Sequence, residues 1–347
     1  MERGRRQRRR STAPGSRSRG GRRARVCGDL AAFVLGTGRP VWRVQTRAPL
    51  SGGTGTDGEL VAVGSSEGEV IALAAQDGAQ RWRVRIDGEV LSAPAVSPQA
   101  VVVRTVDGRL VALAPGDGHE LWVHQEQVPR LSLRGTARPV ISNDLVICGF
   151  DNGKVVAVNL ADGALAWEAA VAPPRGRTEL ERLVDIDSAV VVSGNDVFAA
   201  GFQGRVAMLS RDTGQIWWSR DASSHRGLAV DDQAVYLSSS EAEVLALRRS
   251  TGVELWRQNT LLRRGLSTPA AGPDAVAVAD FQGYVHWLDK AAGALAARAS
   301  AGDARVTNPP LIVGDLAIVI SDRGRITAFR TKPIAAPDPP PAGESAQ

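Results

Sequence analysis

The fold is decided by one repeated unit, which is clearest in residues 92–125, SAPAVSPQAVVVRTVDGRLVALAPGDGHELWVHQ. Four short runs of strand-forming residues follow one another within it: Ala95–Val96, Ala100–Val103, Arg109–Leu113 and Glu120–Val123. The second and third runs join at Asp107-Gly108, where glycine supplies the positive φ that a tight hairpin requires. The unit is therefore predicted to be a four-stranded antiparallel meander.

The same unit recurs along the chain with a period near 40 residues. Each copy ends in Gly-x-x-x-Trp, and the tryptophans are Trp42, Trp82, Trp122, Trp167, Trp218 and Trp256. Ala297 stands at the seventh tryptophan position, and residues 311–329 repeat the first three runs without a fourth. A period of about 40 residues with strands inside each unit is typical of a β-propeller. We therefore predict an all-β, eight-bladed β-propeller of four-stranded antiparallel blades, with an incomplete first blade and with tryptophans filling the gaps between blades.

The two ends of the chain differ from the repeats in composition. Residues 1–25 hold eleven arginines and one acid, so the rest of the chain has 31 basic against 36 acidic residues, a net charge of −5. We expect residues 1–35 to be an Arg-rich, disordered or non-native N-terminus, residues 36–330 to form the propeller, and the proline-rich residues 331–347 to be a disordered tail. The acidic balance of the propeller argues against a body that binds nucleic acid.

Two catalytic motifs match this chain by letter but not by context. Gly53–Gly58 fits a glycine pattern of dinucleotide-binding proteins, but no helix pattern follows it, so we expect a loop there. Gly64–Gly68 fits a nucleophile elbow, but it falls on the recurring hairpin turn. The four histidines have no metal-ligand spacing with a cysteine or an acid pair. We therefore predict no catalytic residue, no cofactor and no metal.

The sequence resembles the BamB family, the β-propeller lipoproteins of the bacterial outer-membrane β-barrel assembly (BAM) complex. The blade motif is shared by all quinoprotein-like (PQQ-type) propellers, but Leu131–Gly135, Thr178–Asp187 and Phe281–Trp287 are specific to this family. The resemblance covers about residues 36–330. It implies a non-enzymatic scaffold that binds the periplasmic POTRA domains of BamA and other BAM subunits. It also implies that the scaffold assists unfolded β-barrel clients at the periplasmic face of the outer membrane, which it touches only through a lipid anchor.

Two long connections between blades coincide with two of these family-like stretches. The spacing between tryptophans rises to 45 residues before Trp167 and to 51 before Trp218, and the extra residues lie between an outer strand and the next inner strand. In a ring of meanders all such connections emerge on one face, so two neighbouring ones form one patch. The resemblance assigns BamA binding to Leu131, Leu133, Arg134, Asp185 and Asp187, with Arg182 beside them. The residues alone leave a second interpretation open, in which the leucines pack beneath the loop and the charged groups are solvated.

Two other functions stay open at this point: a quinone (PQQ)-dependent dehydrogenase, and a cytosolic propeller whose basic arm binds nucleic acid. Quinone enzymes are longer chains, and many have adjacent cysteines near the cofactor. In this chain Cys27 and Cys148 are far apart, and Cys148 is predicted to be a buried apolar residue. Cys27 follows neither a lipobox nor an apolar signal segment. We therefore expect residues 1 to about 30 not to be the native N-terminus. A cytosolic variant with a basic arm is the alternative.

Overall fold

The computed structural model describes residues 28–129, 137–172, 186, 188–201, 204–222, 224 and 226–331. Within these ranges the regular elements are β-strands, which form eight antiparallel sheets, and each sheet pairs its strands in chain order. The first strands of neighbouring sheets contact one another, so they lie at the centre of a ring. No helix in this part of the chain is long and apolar enough to cross a bilayer. The predicted eight-bladed β-propeller is confirmed.

Six blades have four strands each, counted from the centre outward. Blade 2 comprises β3 (Leu50–Thr56), β4 (Leu60–Ser65), β5 (Glu69–Ala74) and β6 (Gln80–Arg85), and blade 3 comprises β7 (Ala95–Val96), β8 (Val101–Arg104), β9 (Arg109–Leu113) and β10 (Glu120–Gln125). Blade 4 comprises β11 (Val140–Ser142), β12 (Leu145–Gly149), β13 (Lys154–Asn159) and β14 (Leu165–Ala170), and blade 5 comprises β15 (Val191–Ser193), β16 (Asp196–Ala200), β17 (Arg205–Ser210) and β18 (Ile216–Asp221). Blade 6 comprises β19 (Leu228–Val230), β20 (Ala234–Ser238), β21 (Val244–Arg248) and β22 (Glu254–Gln258), and blade 7 comprises β23 (Ala270–Ala271), β24 (Ala275–Ala279), β25 (Tyr284–Asp289) and β26 (Leu295–Ser300).

The blades at the two ends of the described chain are smaller. Blade 1 has β1 (Asp29–Phe33) and β2 (Pro40–Gln45), which correspond to the third and fourth strands of the other blades because β2 carries Trp42. Blade 8 has β27 (Leu311–Val313), β28 (Leu316–Ile320) and β29 (Ile326–Arg330). The prediction of an incomplete first blade is confirmed for the described residues. The predicted N-terminal segment lies outside them up to residue 27, as does the predicted tail from residue 332.

The predicted start of the propeller at residue 36 was wrong. Strand β1 begins at Asp29, within the segment assigned to the N-terminus, and pairs antiparallel with β2. Its sequence, Asp-Leu-Ala-Ala-Phe, contains no β-branched residue, so the strand depends on pairing with β2 rather than on local propensity.

The loop predicted at Gly53–Gly58 was also wrong in part, because Leu50–Thr56 forms strand β3. Its glycines permit close contact with blade 3. A Cβ on Gly55 would lie 1.9 Å from the carbonyl oxygen of Pro94, and one on Gly52 would lie 2.4 Å from that of Ser92. A glycine-rich run can therefore be a strand where another backbone approaches closely.

The tryptophan of each outer strand joins its blade to the next, as Trp122 shows. Its side chain is buried, and its indole N–H donates to the carbonyl oxygen of Leu160 at 2.8 Å. The ring lies on Gly163, which has a φ of +71° and whose Cβ, if present, would lie 2.6 Å from the indole. The same N–H to carbonyl bond, at 2.7–2.8 Å, is made by Trp42, Trp82, Trp167, Trp218 and Trp256. All six tryptophans therefore link their own blade to the next one.

We expect Gly163→Ala to lower the free energy of unfolding by about 2 kcal/mol or more. Alanine is strained in the left-handed backbone conformation at this position, and its Cβ would clash with the indole of Trp122. Urea unfolding followed by tryptophan fluorescence measures the change. Gly116→Ala is the matched control, since its Cβ would meet nothing within 4 Å, and it should change stability by less than about 0.5 kcal/mol. Equal effects of the two substitutions would contradict the proposed contact.

Candidate functional site

One face of the ring carries all the connections from an outer strand to the first strand of the next blade, and we call it the connection face. The hairpins between second and third strands lie on the same face, because residues after the outer strand hydrogen-bond to the hairpin glycines. Four of these bonds run from Ile86 N to Gly68 O, from Glu126 N to Gly108 O, from Val171 N to Gly153 O and from Ala301 N to Gly283 O, at 2.7–3.0 Å. Long connections therefore project from this face.

The six residues predicted to bind a partner all lie outside the described residues. They are Leu131, Leu133, Arg134, Arg182, Asp185 and Asp187. Their assignment stays a prediction. The flanking residues are described, and they anchor both connections on the connection face of blades 3 to 5. Ala137 is fully buried in the core between blades 3 and 4, and Ile186 is fully buried between blades 4 and 5.

Ile186 is held from two sides. Its backbone N–H donates to the carbonyl oxygen of Phe150 at 3.3 Å, and its side chain packs on Gly149, where a Cβ would lie only 2.4 Å away. This residue belongs to the stretch Thr178–Asp187, and Asp185 and Asp187 are its immediate neighbours in the sequence. One point of the second long connection is thus attached firmly to blade 4.

A buried ion pair joins blades 3 and 4 on the same face. Arg104, at the end of β8, hydrogen-bonds through Nη2 to Oδ1 of Asp151 in the hairpin after β12, and both side chains are almost completely buried. The guanidinium also stacks over the ring of Phe150, with its Cζ 4.6 Å from the ring centroid. Nε and Nη1 of Arg104 have no hydrogen-bond partner among the described residues. A buried charge of this kind depends on its single partner, so the pair fixes how the two blades meet.

The neighbouring hairpin residue ties the first long connection to blade 4. The side-chain amide of Asn152 donates to Oε1 of Glu126 at 2.9 Å and to the carbonyl oxygen of Gln127 at 3.0 Å. Lys154 Nζ donates to Oε2 of Glu168 at 2.8 Å and lies 3.7 Å from Oε1 of Glu126. The hydrogen bond to Glu168 raises the pKa of this lysine. The start of the connection is therefore held by its neighbour blade before it reaches residue 130.

Sequence reasoning missed these residues, but Arg104 had a visible signal. It stands four positions before the hairpin glycine, where the other complete blades have a small residue: Gly64, Gly149, Ala200, Ser238 and Ala279. The second position after Gly149 holds its acidic partner, which is 47 residues from Arg104 in the chain. The repeat shows that Arg104 is unusual, but pairing over such a distance is visible only in the structure.

A second buried cluster lies on the connection face of blade 7. Asp280 accepts hydrogen bonds from Arg264 Nε at 2.7 Å and from His286 Nε2 at 2.9 Å, and also from the backbone N–H groups of Gln282 and Tyr284. Burial by itself would raise the pKa of this carboxyl. The hydrogen bonds that it accepts, above all the one from His286, outweigh burial and lower the pKa to about 2. Asp280 thereby caps the hairpin between β24 and β25.

The described residues hold no group of three or more metal-ligating side chains. Cys148 is fully buried, as predicted, and burial raises the pKa of its thiol to about 11, which leaves it protonated and unreactive near neutral pH. Cys27 lies outside the described residues.

Comparison with known proteins identifies close relatives. The family model described as "Outer membrane protein assembly factor BamB" matches residues 27–258 and 249–333. A protein of that name from Kangiella koreensis is 42% identical over 303 residues, which cover 87% of this chain and 78% of the relative. The crystal structure of BamB from Moraxella catarrhalis superposes with a TM-score of 0.82 at 29% identity, and the match covers 88% of this chain and 91% of that chain.

Quinone enzymes share the fold at a greater distance. A quinohemoprotein alcohol dehydrogenase from Pseudomonas putida HK5 superposes with a TM-score of 0.57 at 12% identity, and the match covers 87% of this chain and 78% of that chain. Identity this low is evidence for a common fold alone.

We expect Arg104→Met to destabilise the protein by about 3 kcal/mol, because it leaves the Asp151 carboxylate buried without a partner. The double variant Arg104→Met/Asp151→Leu removes both charges and should recover most of that loss. Urea unfolding of the wild type, both single variants and the double variant measures this coupling. Additive losses in the double variant would show that the two side chains do not act as a pair.

The lowered pKa of Asp280 predicts a pH-dependent contribution to stability. Since the folded pKa of about 2 lies below the ordinary value of 3.8, the contribution is present above pH 3.8 and is lost as the pH falls through 2. We expect a contribution of about 2 kcal/mol at neutral pH, reduced to about half at pH 3. Unfolding of the wild type and Asp280→Asn at pH 6 and pH 3 tests it. The stability difference between them should narrow at pH 3, and a constant difference would contradict the assignment.

Proposed function

The chain belongs to the BamB family of outer membrane protein assembly factors, and we propose that it is the scaffold subunit of the assembly complex that binds the periplasmic POTRA domains of BamA. In this role it assists the folding and insertion of β-barrel proteins at the periplasmic face of the outer membrane, together with the other BAM subunits. Unfolded β-barrel clients are its second class of partner. Its relatives are named as assembly factors, which favours a non-enzymatic role.

One observation carries this proposal. The two longest connections of the ring leave the same face on consecutive blades, and buried residues hold both of them where they are described. A scaffold needs such rigid attachment, because ordering a loop only on binding would subtract from the affinity. The Arg104–Asp151 pair and the Asn152 amide supply it between blades 3 and 4.

The composition of the two connections fits a protein partner. Leu131 and Leu133 offer apolar contact area, and Arg134 offers a guanidinium that forms bidentate bonds with carboxylates. Asp185 and Asp187 offer the opposite charge. A partner surface that combines apolar and mixed-charge groups would match this patch, and charge complementarity would set its orientation.

Binding of the full chain to the POTRA domains of its cognate BamA tests the proposal. We expect Arg134→Glu and Asp187→Lys each to weaken binding by about tenfold or more, because each places a like charge opposite a complementary group. Isothermal titration calorimetry measures the affinities.

The matched controls reverse charges on the opposite face of the ring. Arg39→Glu lies in the exposed turn between β1 and β2, and Asp117→Lys lies in the exposed hairpin between β9 and β10. Both should bind like the wild type. Loss of binding in the controls would point to general electrostatics, and no binding by the folded wild type would refute the POTRA proposal.

A further inference from the structure

Two arginines on the connection face of blades 5 to 8 form no ion pair with a described residue. Arg226 lies in the connection from β18 to β19, and Arg305 lies in the connection from β26 to β27. Neither guanidinium makes a hydrogen bond to a described residue either. Two other arginines of this region are paired at 2.7 and 3.2 Å, Arg264 with Asp280 and Arg323 with Asp303.

The two unpaired guanidiniums lie close enough to repel each other. Burial lowers the pKa of the partly buried Arg226, and the like charge of Arg305 lowers it further. Asp322 acts in the opposite direction, but its carboxylate already accepts the backbone N–H of Thr307 at 3.1 Å and the Thr307 hydroxyl at 2.7 Å. Two positive charges thus face one acid that is engaged elsewhere. An added anion beside them would relieve their repulsion.

Backbone contacts hold both arginines in position. The hydroxyl of Thr268, just before β23, donates to the carbonyl oxygen of Arg226. The N–H of Asp322, in the hairpin after β28, donates to the carbonyl oxygen of Arg305 at 2.8 Å. Blades 7 and 8 therefore fix where the two side chains start, and groups held in place before binding lose less freedom when a ligand arrives.

An exposed aromatic ring borders the two arginines. Phe281, in the hairpin after β24, is 44% exposed. A Cβ on Gly265 would lie 3.9 Å from both Nη2 of Arg305 and Cδ1 of Phe281, so the guanidinium and the ring flank the same glycine. This phenylalanine opens the stretch Phe281–Trp287, whose resemblance to the family has no role in the POTRA proposal. A ring beside cationic groups suits a ligand that combines an acid with an apolar side chain.

The two arginines and the ring continue the surface of the second long connection. Ser188 follows that connection, and its Cβ lies 3.1 Å from the place that a Cβ on Gly227 would occupy. Arg226 directly precedes Gly227. A protein that covers the second long connection can therefore extend over the arginines. A small anion would use the arginines alone and leave Phe281 exposed, so a protein segment fits the whole surface better.

We propose that Arg226, Arg305 and Phe281 form a binding site for an acidic segment of a protein partner. A carboxylate of the segment lies between the two guanidiniums, and a neighbouring apolar side chain packs on Phe281. Guanidiniums present paired donors that match the two oxygens of a carboxylate. None of the residues assigned to POTRA binding belongs to this site, so the inference goes beyond the function proposed above.

The test uses the full chain and the peptide Ser-Glu-Phe-Glu-Ser, with blocked ends and with para-fluorophenylalanine as its aromatic residue. Fluorine NMR measures binding through the broadening of the peptide signal as protein is added. We expect the wild type to bind, and Arg226→Glu and Arg305→Glu each to weaken the affinity by about tenfold or more. No binding by the folded wild type would overturn the proposal.

Arg323→Glu is the matched control. It makes the same change in net charge on the same face, at a guanidinium that is already paired with Asp303. This variant should bind the peptide like the wild type, and equal losses in all three variants would overturn the proposal in favour of general electrostatics. Because Arg305 is exposed, its variant keeps the core intact and decides the test even where Arg226→Glu disturbs folding.

Two further comparisons separate the acid from the ring. A peptide with glutamine in place of both glutamates should bind about tenfold more weakly to the wild type. Phe281→Ser should weaken binding of the glutamate peptide by about threefold, because the apolar contact is lost. Equal affinity for the two peptides would overturn the proposal, and unchanged affinity of Phe281→Ser would remove the ring from the site.

Sedimentation with phosphatidylglycerol vesicles distinguishes a lipid headgroup from a protein segment. Vesicle binding that Arg226→Glu and Arg305→Glu both abolish would assign the site to a phosphate group and overturn the proposal. Because no BamA is present in the peptide titration, POTRA binding that persists without peptide binding refutes this inference alone. Peptide binding without POTRA binding refutes only the POTRA proposal.

Discussion

The ring depends on the contact between an outer-strand indole and a left-handed glycine in the next blade. In six blades the indole ring covers a glycine that has no room for a Cβ, while the indole N–H donates to the carbonyl oxygen three residues before that glycine in the same hairpin. One contact thus combines apolar burial, backbone conformation and a directional bond. Because blades 2 to 6 each give and receive such a contact, the spacing between tryptophans also sets the spacing between these blades. The repeats differ from one another mainly in the connections between blades, which lie outside this contact.

This dependence explains why the architecture could be predicted from the sequence. Gly-x-x-x-Trp and the hairpin glycines repeat at a fixed period, and the meander follows from them. The errors occur where an element depends on distant contacts. Strand β1 is rich in alanine and exists through its pairing with β2, and the glycine-rich β3 is shaped by the backbone at Ser92 and Pro94. Neither of these distant contacts can be recognised from the local sequence.

The candidate site, like the fold, has one part that the sequence predicts and another that only the structure shows. Blade spacing identifies which connections are long and that they share a face, since both facts follow from the period. The groups that hold those connections are less visible. Arg104 departs from a position of small residues, yet its partner Asp151 and the stacking on Phe150 come from another blade. The anchor Ile186 lies among charged residues, and its burial against Gly149 is a tertiary property. Repeats reveal where a surface varies, while the contacts between repeats determine how firmly it is held.

The exchange of tryptophan and alanine in blade 7 shows what happens when the ring contact is given up. With Ala297 on the outer strand, the blade no longer offers an indole to its neighbour, and the third-strand Trp287 packs on Phe329 instead. Apolar burial is partly recovered by this arrangement, but the directional bond is not, since the N–H of Trp287 has no acceptor in the described chain. Each gap before blades 2 to 7 is closed both by apolar burial of an indole and by its N–H bond to a carbonyl oxygen. The gap before blade 8 keeps only the apolar contact between Trp287 and Phe329, so its closure within the described chain depends on shape and burial and not on a directional bond.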